Sequence, residues 1–358
     1  MGELRYLPGR LRAREATRRL IRETRLSASQ LVMPLFVRPG KNVREPIASM
    51  PGQCRLSVDQ AVKTAQDLRA AGVPAILLFG LPGRNTKDAR ASAALAKDGI
   101  VQQAVRAIKD QVADVLVMTD VCLCAYTDHG HCGVLQGTGG RRQGAGGRKQ
   151  SARPTPHAPC PTPQSEREVA IDREATLEVL AKIAVSHAQA GADLVAPSDM
   201  MDGSVGAIRQ ALDGTGFERT PIMAYSAKYA SSLYAPFREA VDSAPDFGDR
   251  RSHQMDIANV EEALRKVAMD IRQGADIVMV KPALGFLDVI WRITQQFHHP
   301  VAAFNVSGEY AMVKATASRG WIVERSVWWE QLQCLARAGA DLLITYWAKE
   351  AARAIRET

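Results

Sequence analysis

The chain has 358 residues, 46% of them hydrophobic and 23% charged, which is ordinary for a soluble globular protein with a large core. No apolar run reaches the roughly 20 residues of a membrane helix, and the N-terminus lacks a secretory or transit signal. The sequence therefore predicts a cytoplasmic protein with no membrane partner. The net charge of +8 suggests nucleic acid, but half of that excess lies in residues 136–168, so no nucleic-acid partner is expected.

In chain order, residues 1–30 form a basic segment that we expect to be an arm packing elsewhere, on a neighbouring subunit. Beyond it, continuous apolar runs of the kind found in buried parallel strands recur eight times. These runs are 31–38, 73–80, 114–121, 193–199, 221–228, 276–282, 300–307 and 341–347.

Helix-like segments separate these runs, and several end in a turn of small residues containing Gly, which suits the positive φ after a helix. Such turns stand at 71–73, 190–193, 273–276 and 338–341. Ser57 could cap a helix to about Ala71, and Asp172 one to about Ala190. Eight parallel strands with interleaved helices predict an α/β TIM barrel spanning 31–358. The alternative is an open doubly wound sheet, but no Gly-x-Gly-x-x-Gly follows an early strand.

Residues 136–168 interrupt this pattern. The segment is rich in Gly and Arg and then in Pro, a composition that cannot pack a core. We expect a disordered insert in a loop on the catalytic side of the barrel. Because long surface loops add little closure entropy, the fold should tolerate it.

Catalytic groups of a TIM barrel lie at the C-terminal ends of its strands, and here those positions are polar. They are Asp120, Ser198, Lys228, Lys281, Ser307 and Tyr346. Lys228 and Lys281 close neighbouring runs, so each cation would lower the pKa of the other. A lysine of lowered pKa is a nucleophile suited to Schiff-base formation with a ketone. The alternative is that each lysine merely reaches solvent.

Three cysteines, Cys122, Cys124 and Cys132, crowd into the loop after the third run. Three thiolates with an open fourth position would make a catalytic zinc site. His129 or His131 could supply a fourth ligand and close it. The alternative is three ordinary buried cysteines.

Arginines follow the fifth run at Arg238 and Arg250. Arg pairs bidentately with carboxylates, so these two could clamp a small acidic substrate. Taken singly, each is better explained as a solvated surface residue.

Several long segments, in this order, resemble the zinc-cysteine type of the porphobilinogen synthase (5-aminolevulinate dehydratase) family, over nearly the whole chain except 136–168. They are 120–132 (DVCLCAYTDHGHC), 196–203 (APSDMMDG), 223–231 (MAYSAKYAS), 279–282 (MVKP) and 306–312 (VSGEYAM).

The resemblance implies an enzyme that condenses two molecules of 5-aminolevulinate to porphobilinogen with loss of two waters, an early step of haem and other tetrapyrrole synthesis. Lys281 would form the Schiff base on the propionate side of the product and Lys228 the one on the acetate side. Asp120 and Ser198 would assist proton transfers. The three cysteines would hold a Zn²⁺ that polarises the acetate-side substrate.

The resemblance also implies substrate-binding residues. Arg238, Arg250 and Gln254 would hold the acetate-side carboxylate under a lid, and Ser307 and Tyr346 the other carboxylate, with Phe237 also contacting substrate. The family forms homo-octamers linked by N-terminal arms, which suits the basic segment 1–30.

Two single residues depart from the family pattern. Phe304 stands where members often carry Tyr, so a hydroxyl contact to a substrate carboxylate would be missing. Lys266 stands where magnesium-stimulated members carry Glu. A cation there would repel Mg²⁺ and could replace it, so we expect no allosteric magnesium.

The sequence leaves two alternative functions open. A class I Schiff-base aldolase on the same barrel would use one lysine and no zinc. An RNA-binding role would rest on the Arg/Gly-rich insert.

Overall fold

The computed structural model describes residues 9–136 and 169–357. Its centre is a sheet of eight parallel strands, which are referred to below as the first to eighth barrel strands. Their bounds are Leu31–Val37, Ala75–Gly80, Leu116–Val121, Leu194–Pro197, Met223–Lys228, Ile277–Lys281, Val301–Phe304 and Leu342–Ile344. Nearly all of their residues are buried, as continuous apolar runs predict.

The strands close into a barrel. The first strand pairs with the second and the eighth, and pairing continues around both sides to the fourth and the fifth. A single bridge between Val195 and Ile222 joins these last two strands, supported by a hydrogen bond of 3.1 Å from Val195 N to Pro221 O. The prediction of a TIM barrel rather than an open doubly wound sheet is therefore confirmed.

Helices cover the outside of the barrel. Val101, Ala104, Val105 and Ile108 are all buried, which is the spacing of one apolar helix face. The helices are Gly9–Arg12, Glu15–Leu20, Val58–Ala71, Ile100–Gln111, Arg173–Gln189, Ser204–Asp213, Ala235–Ala240, Glu261–Arg272, Leu287–Phe297, Ser307–Ala317, Glu324–Arg337 and Ala348–Arg356.

The two predicted helix starts have different outcomes. The Asp172 carboxylate accepts a hydrogen bond from Ala175 N at 3.1 Å, so this cap is confirmed. Ser57 does precede the helix that ends at Ala71, but its side chain does not cap it. The Ser57 hydroxyl instead bonds to the Asp59 carboxylate at 2.6 Å and accepts from Val43 N at 2.8 Å, which ties the helix to the preceding loop.

The sequence did not predict a small antiparallel hairpin after the first strand, formed by Arg44–Pro46 and Cys54–Leu56. Its second strand pairs with the first barrel strand, where Phe36 is opposite Arg55. Its polar, half-exposed residues carry no apolar run, so the sequence pattern gave no signal for it.

The repeated Gly-Ala-Asp turns have a common role at the N-terminal end of the barrel. Each Asp carboxylate accepts a backbone N–H at the start of a neighbouring strand, from its first residue or from the residue on either side of it. Asp193 bonds to Val117 N at 2.8 Å, Asp276 to Ile222 N at 2.8 Å and Asp341 to Val301 N at 2.9 Å. The preceding Gly has positive φ in all three turns, which explains the choice of Gly.

The two chain segments that flank the insert are hydrogen-bonded to each other. Gln136 N bonds to Ala170 O at 3.0 Å, and Leu135 and Ile171 form an antiparallel bridge. The stretch 137–168, on which the prediction of disorder falls, lies outside the described residues. Because its two ends are already held together, the barrel itself needs no rearrangement to carry it.

The described part of the N-terminal segment lies on the surface. Its helices Gly9–Arg12 and Glu15–Leu20 bury none of their residues. Leu11, Leu20 and Ile21 are exposed apolar side chains within it. In the described parts of the chain, no helix is both long and apolar enough to cross a bilayer.

Candidate active site

Lys228 and Lys281 end the fifth and sixth barrel strands. They are direct register partners in the parallel pairing, and Tyr229 N donates to Lys281 O at 2.9 Å. Both side chains are buried, with 6% and 4% of their surface exposed. Neither lysine therefore reaches out into solvent, which was the alternative interpretation of the sequence.

The Lys281 amine lies among aromatic rings. Its Nζ is 4.3 Å from the ring centroid of Phe304, 4.8 Å from Phe237 and 5.0 Å from Tyr225, with Tyr234 and Phe79 slightly farther. Burial first, and then the positive charge of Lys228, lower the pKa of Lys281 to about 7. A large fraction of this amine is thus unprotonated and nucleophilic near neutral pH.

Lys228 faces the same cavity. Its Nζ lies 5.7 Å from the centroid of the Tyr225 ring, and it donates a hydrogen bond to the carbonyl of Ser198, which follows the fourth strand. One ring is therefore within 6 Å of both ammonium groups. The two amines converge, as the sequence predicted from their positions at neighbouring strand ends.

Asp120 lies on the third strand beside these amines. Its carboxylate forms a hydrogen bond with the Ser198 side chain, while its Oδ1 has no partner among the described residues. Burial, and then the negative charge of Cys124, raise the pKa of Asp120 to about 6. A carboxyl group with such a pKa can both accept and release a proton near neutral pH.

The three cysteines after the third strand come together. The Sγ atoms of Cys122, Cys124 and Cys132 all lie within 4.8 Å of one another, and all three residues are buried. Hydrogen bonds from Cys122 and Cys124 lower the pKa of Cys132, which favours its thiolate. This set of soft donors fits a thiophilic metal such as zinc. Among the described residues, neither His129 nor His131 joins the group.

Arg238, Arg250 and Gln254 lie in or after the helix that follows the fifth strand. Arg250 is buried and donates to Gly130 O at 2.8 Å and Ser243 O at 2.5 Å, so it is not a solvated surface residue. Within the described chain, Arg238 Nε, Arg250 Nε and both side-chain amide atoms of Gln254 have no hydrogen-bond partner. Buried polar atoms without partners are costly, so this group is arranged for a polar ligand.

Ser307 does not end the seventh strand as expected. That strand stops at Phe304, and Ser307 is the first residue of the next helix. Ser307 Oγ accepts from Phe237 N at 3.0 Å and donates to Leu233 O at 3.3 Å. The buried hydroxyl of Tyr346, two residues after the eighth strand, has no partner in the part of the chain described.

The structure shows what surrounds the two residues that depart from the family pattern, Phe304 and Lys266. Phe304 contributes the ring nearest to the Lys281 amine, so the missing hydroxyl leaves a purely apolar wall there. Lys266 Nζ forms a buried ion pair with Asp270 at 2.5 Å. The positive charge of Lys266 is therefore neutralised by Asp270 on the same helix.

Sequence reasoning missed most of the cage around Lys281. Tyr225 and Phe79 lie inside barrel strands, and Tyr234 lies in the short turn before the Ala235–Ala240 helix and donates to Lys281 O at 2.9 Å. The available signal was their place within a strand or shortly after one. It became informative only once the strands were arranged in space.

A closed barrel with two buried amines, a carboxyl group and a thiol cluster at one end of its strands has the architecture of a TIM-barrel enzyme. A family model described as delta-aminolevulinic acid dehydratase matches residues 6–144 and 155–354. Delta-aminolevulinic acid dehydratases from Synechocystis and Methanothermobacter thermautotrophicus are 49% and 48% identical. These alignments cover 98% and 95% of this chain and 98% and 94% of the relatives.

A crystal structure of the Toxoplasma gondii delta-aminolevulinic acid dehydratase, in complex with the reaction product porphobilinogen, matches with a TM-score of 0.88. It is 40% identical, and the match covers 99% of this chain and 93% of that one. The chain belongs to the delta-aminolevulinic acid dehydratase family and is a lyase.

Proposed function

We propose that this enzyme condenses two molecules of 5-aminolevulinate to porphobilinogen, with release of two waters, early in tetrapyrrole (haem) synthesis. The observation that carries this proposal is the pair of buried amines, Lys228 and Lys281, that face one ring at neighbouring strand ends. Holding both keto acids covalently turns a reaction between two small molecules into one within a single complex, which removes much of the entropic barrier.

Lys281 binds the substrate that becomes the propionate side of the product. Its unprotonated Nζ attacks the ketone carbon, the carbonyl oxygen takes up protons and leaves as water, and a Schiff base remains. The aromatic rings around Nζ exclude bulk water and keep the amine neutral enough to attack.

Lys228 binds the second substrate, on the acetate side, by the same reaction. Ser198 holds the Lys228 amine through its backbone carbonyl and bonds to Asp120 through its hydroxyl. We therefore assign to Asp120 and Ser198 the proton transfers at the carbonyl carbon and oxygen of the substrate that reacts with Lys228.

Two sets of polar groups hold the substrate carboxylates. Arg238, Arg250 and Gln254 offer unpartnered nitrogen atoms to the acetate-side carboxylate. Ser307 and the free hydroxyl of Tyr346 hold the other carboxylate. Phe237 packs against the substrate on Lys281, since its ring already lies 4.8 Å from that amine.

Cys122, Cys124 and Cys132 would hold a catalytic Zn²⁺ through their three thiolates. When bound, the ion supplies a Lewis acid that polarises the acetate-side substrate. The positive charge of Arg250 favours the thiolate form of Cys132, and the thiolate is the form that binds a metal ion. The Lys266–Asp270 pair takes the place of an allosteric Mg²⁺, so we propose that magnesium does not stimulate the enzyme.

The exposed apolar residues of the N-terminal segment support a proposal of assembly. We propose residues 1–30 as an arm, separate from the catalytic barrel of 31–358, that packs on a neighbouring subunit of a homo-octamer in the cytoplasm. Sedimentation of the full chain beside a variant lacking residues 1–20 tests this, because loss of the arm should yield smaller species.

The decisive experiment is a product assay on 5-aminolevulinate with and without zinc, repeated with Lys281→Ala. Product should form, depend on zinc and vanish in the variant. Borohydride trapping with 5-aminolevulinate beside a sugar phosphate separates this function from an aldolase. Trapping of the sugar phosphate alone would overturn the proposal.

Two additional measurements test the cofactor and the insert. After dialysis against a chelator, Mg²⁺ added alone should restore no activity, and a large magnesium-specific stimulation would contradict the Lys266 argument. Deletion of 136–168 should leave the lyase activity intact. An RNA-binding function would instead appear as RNA retention lost with that segment.

A further inference from the structure

We infer that Glu309 is a positioning residue for the substrate held by Lys281, because one buried carboxylate network fixes the spacing of the three chain segments that form its pocket. This inference rests on the proposed roles of Lys281, Ser307 and Tyr346. Glu309 itself is 1% exposed.

The carboxylate links the segments that follow the sixth and seventh strands. Glu309 Oε1 accepts from Leu284 N at 2.9 Å, and Oε2 accepts from Val306 N at 2.7 Å. Leu284 lies three residues beyond Lys281, and Val306 directly precedes Ser307. The distance between the Schiff-base lysine and the carboxylate-binding serine is thus set in part by one side chain.

The network continues to the eighth strand through Asn305. Asn305 Nδ2 donates to Glu309 Oε2 at 2.9 Å, and Asn305 Oδ1 accepts from Thr345 Oγ1 at 3.1 Å. Thr345 directly precedes Tyr346. Each of the three pocket residues therefore has a network member as a near neighbour in the chain, and every link in the network is buried except the part-buried one to Leu284.

A purely structural link would not need a carboxylate here. Burial raises the pKa of Glu309 to about 7 although three hydrogen bonds act in the opposite direction, so the ionised group carries a cost at this position. Asp341 links the same region of the sheet at the opposite end of the barrel with an exposed carboxylate that avoids this cost. The buried carboxylate, that of Glu309, occurs at the end of the barrel where the pocket residues lie.

The test is Glu309→Gln in the full-length, zinc-loaded enzyme. Glutamine keeps the size, but its NH₂ group cannot accept from one of the two backbone N–H groups. The matched control is Asp341→Asn, which makes the same chemical change in a link between the seventh and eighth strands far from the pocket. Both variants should lose some thermal stability.

The readout is borohydride labelling by 5-aminolevulinate, followed peptide by peptide. In Glu309→Gln, the concentration that half-saturates labelling at Lys281 should rise about tenfold, the effect of losing one net hydrogen bond. Labelling at Lys228 should keep its wild-type concentration dependence, and kcat should change less than KM. Asp341→Asn should leave both sites unchanged.

Equal labelling curves for Glu309→Gln and wild type, or equal shifts at both lysines, would overturn the inference. If Glu309→Gln does not fold, Thr345→Val decides, since it removes the hydroxyl that contacts Asn305, together with a hydrogen bond from Trp347 N at 3.3 Å, at nearly constant volume. It should raise the Lys281 half-saturation about threefold, and no shift overturns the inference. Failure of the proposed function is distinguishable, because the wild-type enzyme would then show no labelling at Lys281.

Discussion

The two ends of the barrel treat their polar groups in opposite ways. At the N-terminal end, the carboxylates of Asp193, Asp276 and Asp341 each accept a backbone N–H of a neighbouring strand. At the C-terminal end, buried groups such as the Gln254 amide and the Tyr346 hydroxyl have no partner within the described residues. The N-terminal carboxylates stabilise the strands, whereas these C-terminal groups are left without a partner at a cost in stability.

This contrast predicts that mutations at the C-terminal end affect kinetics and those at the N-terminal end affect stability. The largest effect should come from Lys281→Ala. Because the covalent anchor supplies a large effective concentration, product formation should fall by about four orders of magnitude or more. Thermal unfolding should stay within a few degrees of wild type, since the change removes a buried amine that is costly to desolvate but also leaves a cavity. Residual activity above one per cent would contradict the role of Lys281.

The unpartnered amide of Gln254 offers the next test, against a satisfied buried glutamine. Gln254→Leu should raise KM about thirtyfold through a lost hydrogen bond to a charged carboxylate, with no loss of stability. Gln102 Nε2 donates to Ala94 O at 2.9 Å and Ser186 Oγ at 3.0 Å. Gln102→Leu should therefore lower the free energy of unfolding by about 1–2 kcal/mol and leave KM unchanged.

Steady-state kinetics and urea unfolding of both Gln variants check this pair of predictions. If the two show the same balance of KM and stability changes, then the difference between satisfied and unsatisfied groups has no functional meaning.

The lowered pKa of Lys281 predicts a pH dependence of Schiff-base formation. Only the neutral amine attacks, so labelling at Lys281 should rise about tenfold per pH unit below pH 7 and level off above it. Lys228→Met removes the neighbouring positive charge, which raises the pKa of Lys281 and moves the plateau to higher pH. Cyanoborohydride labelling rates across pH 5–9 measure both profiles, and a shift to lower pH in the variant would contradict this cause.

Much of the fold was available in the sequence because buried parallel strands are continuous apolar runs, and several of these runs end in or near a polar residue. Lys228 and Lys281 were therefore predicted to converge. The sequence pattern predicts strand as far as Ser307, but pairing stops at Phe304, and the single apolar residue Val306 beyond it lies in the loop. Sequence alone does not show where pairing stops.

The remaining site features depend on contacts between distant segments. The rings of Phe79 and Phe304 meet around Lys281 only because the second and seventh strands face each other across the barrel. The Glu309 contact to Leu284 likewise has no local signature. The Gly-Ala-Asp repeat was visible, but the partner of each Asp is a backbone N–H on another strand, which no local pattern names.

The smallest expected effect comes from a substitution in the Gly-Ala-Asp repeat, at Asp276. Asp276 accepts from Ile222 N at 2.8 Å, at the closure point of the barrel where the fourth and fifth strands share only one bridge. Asp276→Ala leaves this N–H unpaired and should lower the free energy of unfolding by about 1 kcal/mol, measured by urea denaturation. Because the substitution lies at the far end of the strand from Lys228, kcat and KM should stay within twofold. A kinetic loss without a stability loss would show that the closure point, and not only the catalytic end, controls the spacing of the two amines.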